Sequence, residues 1–377
     1  MVKKNRPDIP EKTIVKLWLL SGGRCQYDGC NTPLWRDELT LSDMNSAYIA
    51  HIIDVNPQTH RYDKELSPKL TKDLSNLMLL CDTHHRLIDR EGEKDHPVER
   101  LQKMKKIHEE RIELVTSIRP EKKSHILLYG ANIGEHSSPL NWHNASLAMM
   151  PEWYPANPNA IELSLKNCTF KDHELDYWKF QIENLRRQFK DHVKPRLADE
   201  IKHISIFGLA PIPLLIELGR LISDIPSFEI YQLHREPQSW SWHNVDGGEI
   251  IIKQPEKINK KIALVISLSA TITPDRISSC LGDNFSIWTI TVSKPNNDLI
   301  KSRKQLIDFR EKMRLLLNEI KAKHGKNNEI NVFPAMGVST AISFGQIWMP
   351  KADLPLNIFE ENKKHENKGF MYVHTIL

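Results

Sequence analysis

Hydrophobic positions change their period about a third of the way along the chain. Residues 11 to 22 place Ile14, Leu17 and Leu20 at helical spacing, which predicts a short amphipathic helix. "GGRCQYDGCNTPL" then reads as a Gly-bounded knuckle. "NSAYIAHIIDVNP" is rich in β-branched and apolar residues and predicts a strand broken at Pro57. A polar loop, "QTHRYDKELSPKLTKDL", leads into "SNLMLLCDTHHRLIDR", which reads as a turn followed by a helix. A charged helix of roughly twenty residues ends near Ile118, and "RPEKKSH" reads as a linker.

Beyond the linker, apolar strands alternate with amphipathic helices, the pattern of an α/β domain with a mostly parallel sheet. "HISIFGLA", "FEIYQLHR", "ALVISLSATI", "FSIWTITVS", "EINVFPAMG" and "LNIFEEN" are its predicted strands. One similarity organises this region. "ISIFGLAPIPLLIELGRLISDIPSFEIYQLHR" and "INVFPAMGVSTAISFGQIWMPKADLPLNIFEEN" align as strand, turn, helix ending Gly-hydrophobic, strand. Each follows a long amphipathic helix, so the region reads as a duplicated β-α-β unit with a pseudo-two-fold relation. The overall expectation is an α+β chain with a small domain over 1–120 and an α/β domain over 121–377.

The length of 377 residues suits two domains rather than one core. No apolar run is long enough to span a bilayer, and "MVKKNRPDIPEKT" lacks the apolar segment of a signal peptide. The expectation is therefore a cytoplasmic protein without membrane partners. A formal charge of +4 decides little, because clustering governs nucleic-acid binding. Lys103, Lys105, Lys106 and Arg111 do cluster on the charged helix, where a solvated surface explains them as well as a DNA-facing one. Five cysteines argue against a disulfide framework. Cys168 and Cys280 stand alone and read as small core residues.

The other three cysteines lie near histidines. Cys25 and Cys30 are separated by four residues, Cys81 and His84 by two. Paired thiolate and imidazole ligands across an intervening segment follow the logic of a structural zinc site; buried free cysteines are the alternative. His85 cannot easily share that site, because neighbours on a helix point about 100° apart. If it also binds metal, a second site is needed, with His51 and Asn76 as companions in a ββα-metal arrangement.

The ordered pattern "AHI…NLMLLCDTHH" resembles the HNH nuclease motif over about residues 15 to 95. The resemblance implies a metal-dependent endonuclease acting on double-stranded DNA. It makes His51 the general base, Asn76 a brace, and His85 a ligand of a catalytic ion such as Mg2+. Many members carry a metal ligand just before the base, where this chain has Ala50. Asp54, Asp63 and Asp89 are candidate replacements, although a surface or turn role suits each better than a ligand role. His60 reads as solvent-exposed.

Neither a G-x-G-x-x-G nor a Walker A sequence is present, which argues against dinucleotide-cofactor and ATPase functions. Small turns in "FGLAPIP" and "FPAMGVS" fall at strand C-termini, where open α/β sheets bind ligands. The paired "FGLAPIPLLIELG" and "FPAMGVSTAISFG" segments resemble the SAVED domain, a fusion of two CARF-like, Rossmann-like halves. With an HNH domain ahead of it, the chain resembles effectors of cyclic-oligonucleotide anti-phage signalling (CBASS). That resemblance implies a cyclic di- or trinucleotide activator, of the cyclic GMP-AMP type by preference, and a homo-oligomer of two to four chains on activation. Arg235, Trp240 and Trp242 in "QLHREPQSWSWHN" suit base stacking and charge pairing. Backbone groups of Leu209, Ala210, Pro334 and Met336 are further candidate contacts. Two other functions fit the same residues: an HNH restriction enzyme whose second domain reads modified DNA, and a non-catalytic zinc module on a metabolite-binding regulator.

Overall fold

The computed structural model describes residues 8–131, 140–164, 170–198, 202–223, 225, 227–243, 245, 247–362 and 369–377. Cys168 lies outside the described residues. The chain divides into two compact units, Met1–Arg119 and Pro120–Leu377.

In the first unit, helix α1 (Glu11–Ser21) buries Leu17 and Ser21 and half-buries Ile14 and Trp18. Leu20, expected on that face, is exposed, because six residues beyond Ile14 is roughly 120° around the helix. Gly22, at φ 60°, ends the helix: its amide and that of Gly23 donate back to the Leu19 and Trp18 carbonyls. β1 (Tyr48–His51) pairs antiparallel with β2 (Leu77–Leu80), setting Tyr48 opposite Leu80 and His51 opposite Leu77. The expected turn into a helix at 77–80 is thus a strand. All four of its side chains are buried, so it has no alternation to betray it. α2 (Leu66–Leu70) precedes this strand and α3 (Asp82–Arg86) follows it, continuing in a wider turn through Glu91. α4 (Val98–Thr116) closes the unit over a core that includes Leu17, Leu34, Ile52, Leu79 and Leu101.

The second unit opens on β3 (Lys123–Gly130), so the segment expected as linker already begins a buried strand. There follow α5 (Trp142–Met149), β4 (Tyr154–Pro155), β5 (Ile161–Glu162), α6 (Leu175–Gln188) and α7 (Lys194–Leu197). β6 (His203–Leu209), α8 (Ile212–Leu221) and β7 (Ser227–Ile230) complete the first half. Its sheet is wholly parallel, with β3 between β6 and the short β4 and β5, and β7 beyond β6.

A hairpin of β8 (His234–Arg235) and β9 (Gln238–Ser239) leads to the second half. This contains β10 (Ile250–Lys253), β11 (Lys261–Ser267), α9 (Pro274–Leu281), β12 (Phe285–Val292) and α10 (Arg303–His324). β13 (Ile330–Ala335), α11 (Val338–Ile347), β14 (Leu356–Asn362) and β15 (Gly369–Ile376) follow. The sheet order is β10-β12-β11-β13-β14-β15, with four parallel central strands and antiparallel edges. Cys280, expected in the core, is only half-buried, its Sγ 3.3 Å from the Phe370 carbonyl.

The two β-α-β units meet through their helices. A Cβ added to Gly219 of α8 would lie 2.0 Å from the Ile342 carbonyl oxygen; one added to Gly345 of α11 would lie 1.8 Å from that of Ile216. The sequence places Ile three residues before Gly in both helices, and the contact is reciprocal. Backbone therefore touches backbone at the crossing, which only glycine permits.

Candidate functional site

Two sets of residues carry chemistry, one in each unit. In the first unit, Cys25, Cys30, Cys81 and His84 bring one ligand atom each to within 4.8 Å of one another. His84 Nδ1 lies 3.1 Å from Cys81 Sγ and 3.7 Å from Cys25 Sγ. Burial pushes the Cys25 thiol up strongly, so a thiolate there needs a cation beside it. Three soft donors and one imidazole in such a cluster can hold a metal ion.

The sequence folds the cluster together through polar groups not anticipated from the pattern. Gln26 is buried; its amide donates to the Leu79 carbonyl (2.9 Å) and its Oε1 accepts the Leu79 amide (2.7 Å). This straps the knuckle to β2, next to Cys81. Tyr27 stacks on His84 with ring centroids 4.1 Å apart. His96 Nδ1 donates to the Gly92 carbonyl at 2.6 Å, so its Nε2 accepts the Tyr27 hydroxyl at 3.0 Å. Stacking on Tyr27 thus fixes the plane of the His84 ring, and His96 in turn fixes Tyr27.

His51, Asn76 and His85 occupy the hairpin and the helix that follows it. His51 Nε2 donates to the Thr71 carbonyl at 3.0 Å, which makes Nδ1 the acceptor nitrogen of the neutral ring. Asn76 is buried and braces the turn: Oδ1 accepts the Ile53 amide at 2.6 Å, and Nδ2 donates to the carbonyls of Ile53 (2.9 Å) and Leu70 (3.3 Å). His85 packs its ring against Tyr48, and Asp89, one turn on, lies 3.4 Å from its Nε2.

Arg61, in the polar loop, joins these parts. It is 3% exposed, and its guanidinium donates to the carbonyls of Ile52 (3.1 Å) and Ile88 (2.6 Å) and to Asp89 (2.8 Å). A run from His85 through Asp89 and Arg61 therefore reaches the residue after His51. Asp54 lies 3.9 Å from the same guanidinium, and Asp63 caps the start of α2 by accepting the Glu65 and Leu66 amides. Each of the three aspartates considered as metal ligands already has a structural partner. The lysine cluster of α4 is also partly neutralised: Lys105 pairs with Glu109, and Lys106 with Glu110.

In the second unit the expected ligand residues scatter. Trp240 is a core residue, edge-on to Phe207 at 5.3 Å and only 6% exposed. Ala210 and Met336 are also buried. Pro334 lies inside β13 opposite Ile266, and the Leu209 carbonyl accepts the Ala131 amide. Trp242 is half-buried, its Nε1 unpartnered, with His234 at 6.1 Å. Arg235 is exposed, its amide donating to Asp298 at 3.1 Å. The strand C-termini of both halves instead converge on a cavity of ≈10 Å³, lined among others by Gln232, Ser269, Asn296, Asn297 and Gly337. None of these five was marked by the sequence pattern, because single polar residues after strands carry no period.

No helix among the described residues is long and apolar enough to cross a membrane. Comparison with known proteins places these observations. No curated protein matches the chain. Among solved structures it is similar to the Acinetobacter baumannii Cap4 SAVED/CARF-domain containing receptor with the cyclic trinucleotide 2'3'3'-cAAA (TM-score 0.42, 11% identity, 83% of this chain and 67% of that one). It is likewise similar to the Moraxella osloensis Cap4 SAVED/CARF-domain containing receptor (TM-score 0.41, 10% identity, 84% and 66%). The family described as SMODS-associated and fused to various effectors sensor domain matches residues 185–376, more than half of the chain, and the protein belongs to this SAVED family.

Proposed function

We propose that the protein is a cyclic-oligonucleotide-activated, metal-dependent endonuclease that degrades double-stranded DNA as an anti-phage (CBASS) effector. The observation that carries the reading is the HNH-like set in the first unit of a SAVED chain: His51 with its Nε2 proton committed to Thr71, Asn76 bracing the turn, and His85 on the following helix. In this reading Cys25, Cys30, Cys81 and His84 hold a structural Zn2+, which suits their donor chemistry. His85 would hold Mg2+ or a similar ion, which when bound would polarise the scissile phosphate.

His51 Nδ1 takes the proton from the attacking water as its oxygen bonds to phosphorus. The bond from phosphorus to the leaving deoxyribose oxygen breaks on the opposite side. Asn76 fixes the turn that carries His51, and Asp89 orients His85. The SAVED unit binds a cyclic di- or trinucleotide and assembles two to four chains, which brings nuclease units together on one duplex. The test is plasmid cleavage with Mg2+, with and without a panel of cyclic di- and trinucleotides. Cleavage is expected only with one of them and is lost in His51→Ala. Constitutive cutting that ignores the whole panel defeats the sensor reading.

A further inference from the structure

The cavity at the converging strand ends is far too small for the ligand class proposed above. Drug-sized molecules need about 300 Å³ or more, against ≈10 Å³ here. What fills the space is a side chain. Gln232, two residues after β7 in the first half, is 4% exposed. Its Oε1 accepts both the amide (3.1 Å) and the hydroxyl (2.7 Å) of Ser339 in the first turn of α11, in the second half. Its Nε2 donates only to the carbonyl of its own neighbour, Leu233, at 2.8 Å. A Cβ on Gly337 would lie 3.1 Å from Oε1, so the amide sits flush on the helix start.

Resting on the sensor reading, we infer that Gln232 is a latch: its carboxamide occupies an anion subsite at the start of α11, and the cyclic oligonucleotide's phosphate displaces it. Two observations make this end of α11 a site. The duplicated halves differ here: α11 begins Gly-Val-Ser, whereas the equivalent helix α8 begins Pro-Ile-Pro. Pro213 has no amide where Ser339 offers one, so only one half can hold an anion this way. Next to the latch, His234 is 1% exposed with both ring nitrogens unpartnered. It lies 3.9 Å from Asp298, in the loop whose Asn296 and Asn297 line the cavity, and packs edge-on to His243. Its ring nitrogens make no hydrogen bond two residues along the chain from the latch, so that bonding capacity is left for a ligand to meet. Breaking the Gln232–Ser339 contact also removes one tie between the loop after β7 and the second half, the Arg235 amide on Asp298 being another, which links occupancy to the relation between halves.

The experiment measures affinity of the full chain for a cyclic di- and trinucleotide panel by calorimetry. Gln232→Ala removes the competing acceptor and is expected to bind roughly tenfold tighter than wild type, the worth of two ordinary hydrogen bonds. Gln232→Glu keeps both acceptor bonds and adds a charge favoured at a helix start, so it is expected to bind at least tenfold more weakly. His234→Ala weakens binding by a similar factor with an unchanged melting profile. Equal or weaker binding by Gln232→Ala overturns the latch while leaving the sensor reading intact. No binding by wild type and Gln232→Ala alike overturns both.

Discussion

The two units solve the same problem with different means. The second stacks strands such as "SIFG" and "LVIS", buried along their whole length, and lets two helices touch backbone to backbone at Gly219 and Gly345. The first has a short hairpin, a small core and many polar crosslinks: Gln26 to Leu79, Asn76 to Ile53, Arg61 to Asp89. A small core leaves a unit dependent on such staples, and the Zn2+ proposed for Cys25, Cys30, Cys81 and His84 would be the strongest of them. The comparison teaches where each unit is vulnerable.

The largest effect is expected at the staple. Cys25→Ser, or treatment with a chelator, should unfold the first unit while the second keeps its melting transition, because zinc binding free energy in such sites is folding free energy. Metal content and hydrogen exchange resolved by segment read this directly. Intact protection across 25–85 after metal loss would place the stability of the unit in its core instead. The next effect is on chemistry alone. His51→Ala should lose about 10²- to 10⁴-fold in cleavage rate with both transitions unchanged. Residual cutting at wild-type rate would transfer the base role elsewhere.

In the second unit the weak point is shape. Gly345→Ala must push α8 and α11 apart, because its Cβ overlaps the Ile216 carbonyl, and overpacking of this kind costs about 1–3 kcal/mol or more. Gly219→Ala should match it within experimental error, since the contact is reciprocal. A large inequality between the two variants, in melting of the second unit, would break the pseudo-two-fold reading. Neither should alter metal content.

The sequence made these two regions legible to different degrees. In the first unit the spacing of Cys25, Cys30, Cys81 and His84 pointed to ligands that the fold brings together, because ligand type and spacing are local properties. The β2 strand did not show itself, since "LMLL" is buried on both faces and has no period. Arg61 was invisible for another reason: its three partners are two backbone carbonyls and a carboxylate from distant segments. In the second unit the alternation of apolar runs with amphipathic stretches marked the central parallel strands apart from β3, whose start fell in the expected linker. The antiparallel edges β10 and β15 carry fewer buried positions and were missed. The tryptophans misled most. Alternating Trp240 and Trp242 looked like a stacking platform, yet Trp240 fills the core under Phe207.

The smallest expected effect concerns the histidines, whose roles differ between the units. In the first, His84 and His85 are the proposed metal ligands and His51 the proposed base; in the second, His203 is part of the sheet. Its Nδ1 lies 2.8 Å from the Ser124 hydroxyl, which in turn meets Ser205 at 2.9 Å across β3 and β6. Its ring stacks on Trp153 at 3.4 Å, and Lys122 lies over that indole. Burial, with the Lys122 charge behind it, pushes the His203 pKa down to about 4. The folded chain therefore refuses a proton that the unfolded chain accepts. Stability from this site is complete above the ordinary histidine value of 6.5, falls as pH drops from there towards 4, and levels off below. The loss is about 3 kcal/mol, a shift of several degrees in melting for a unit of this size. His203→Gln should flatten that part of the acid limb for the second unit and leave metal content unchanged. An acid limb of undiminished slope in His203→Gln would show that His203 is already protonated in the folded sheet, and that Ser124 and Trp153 tolerate the charge.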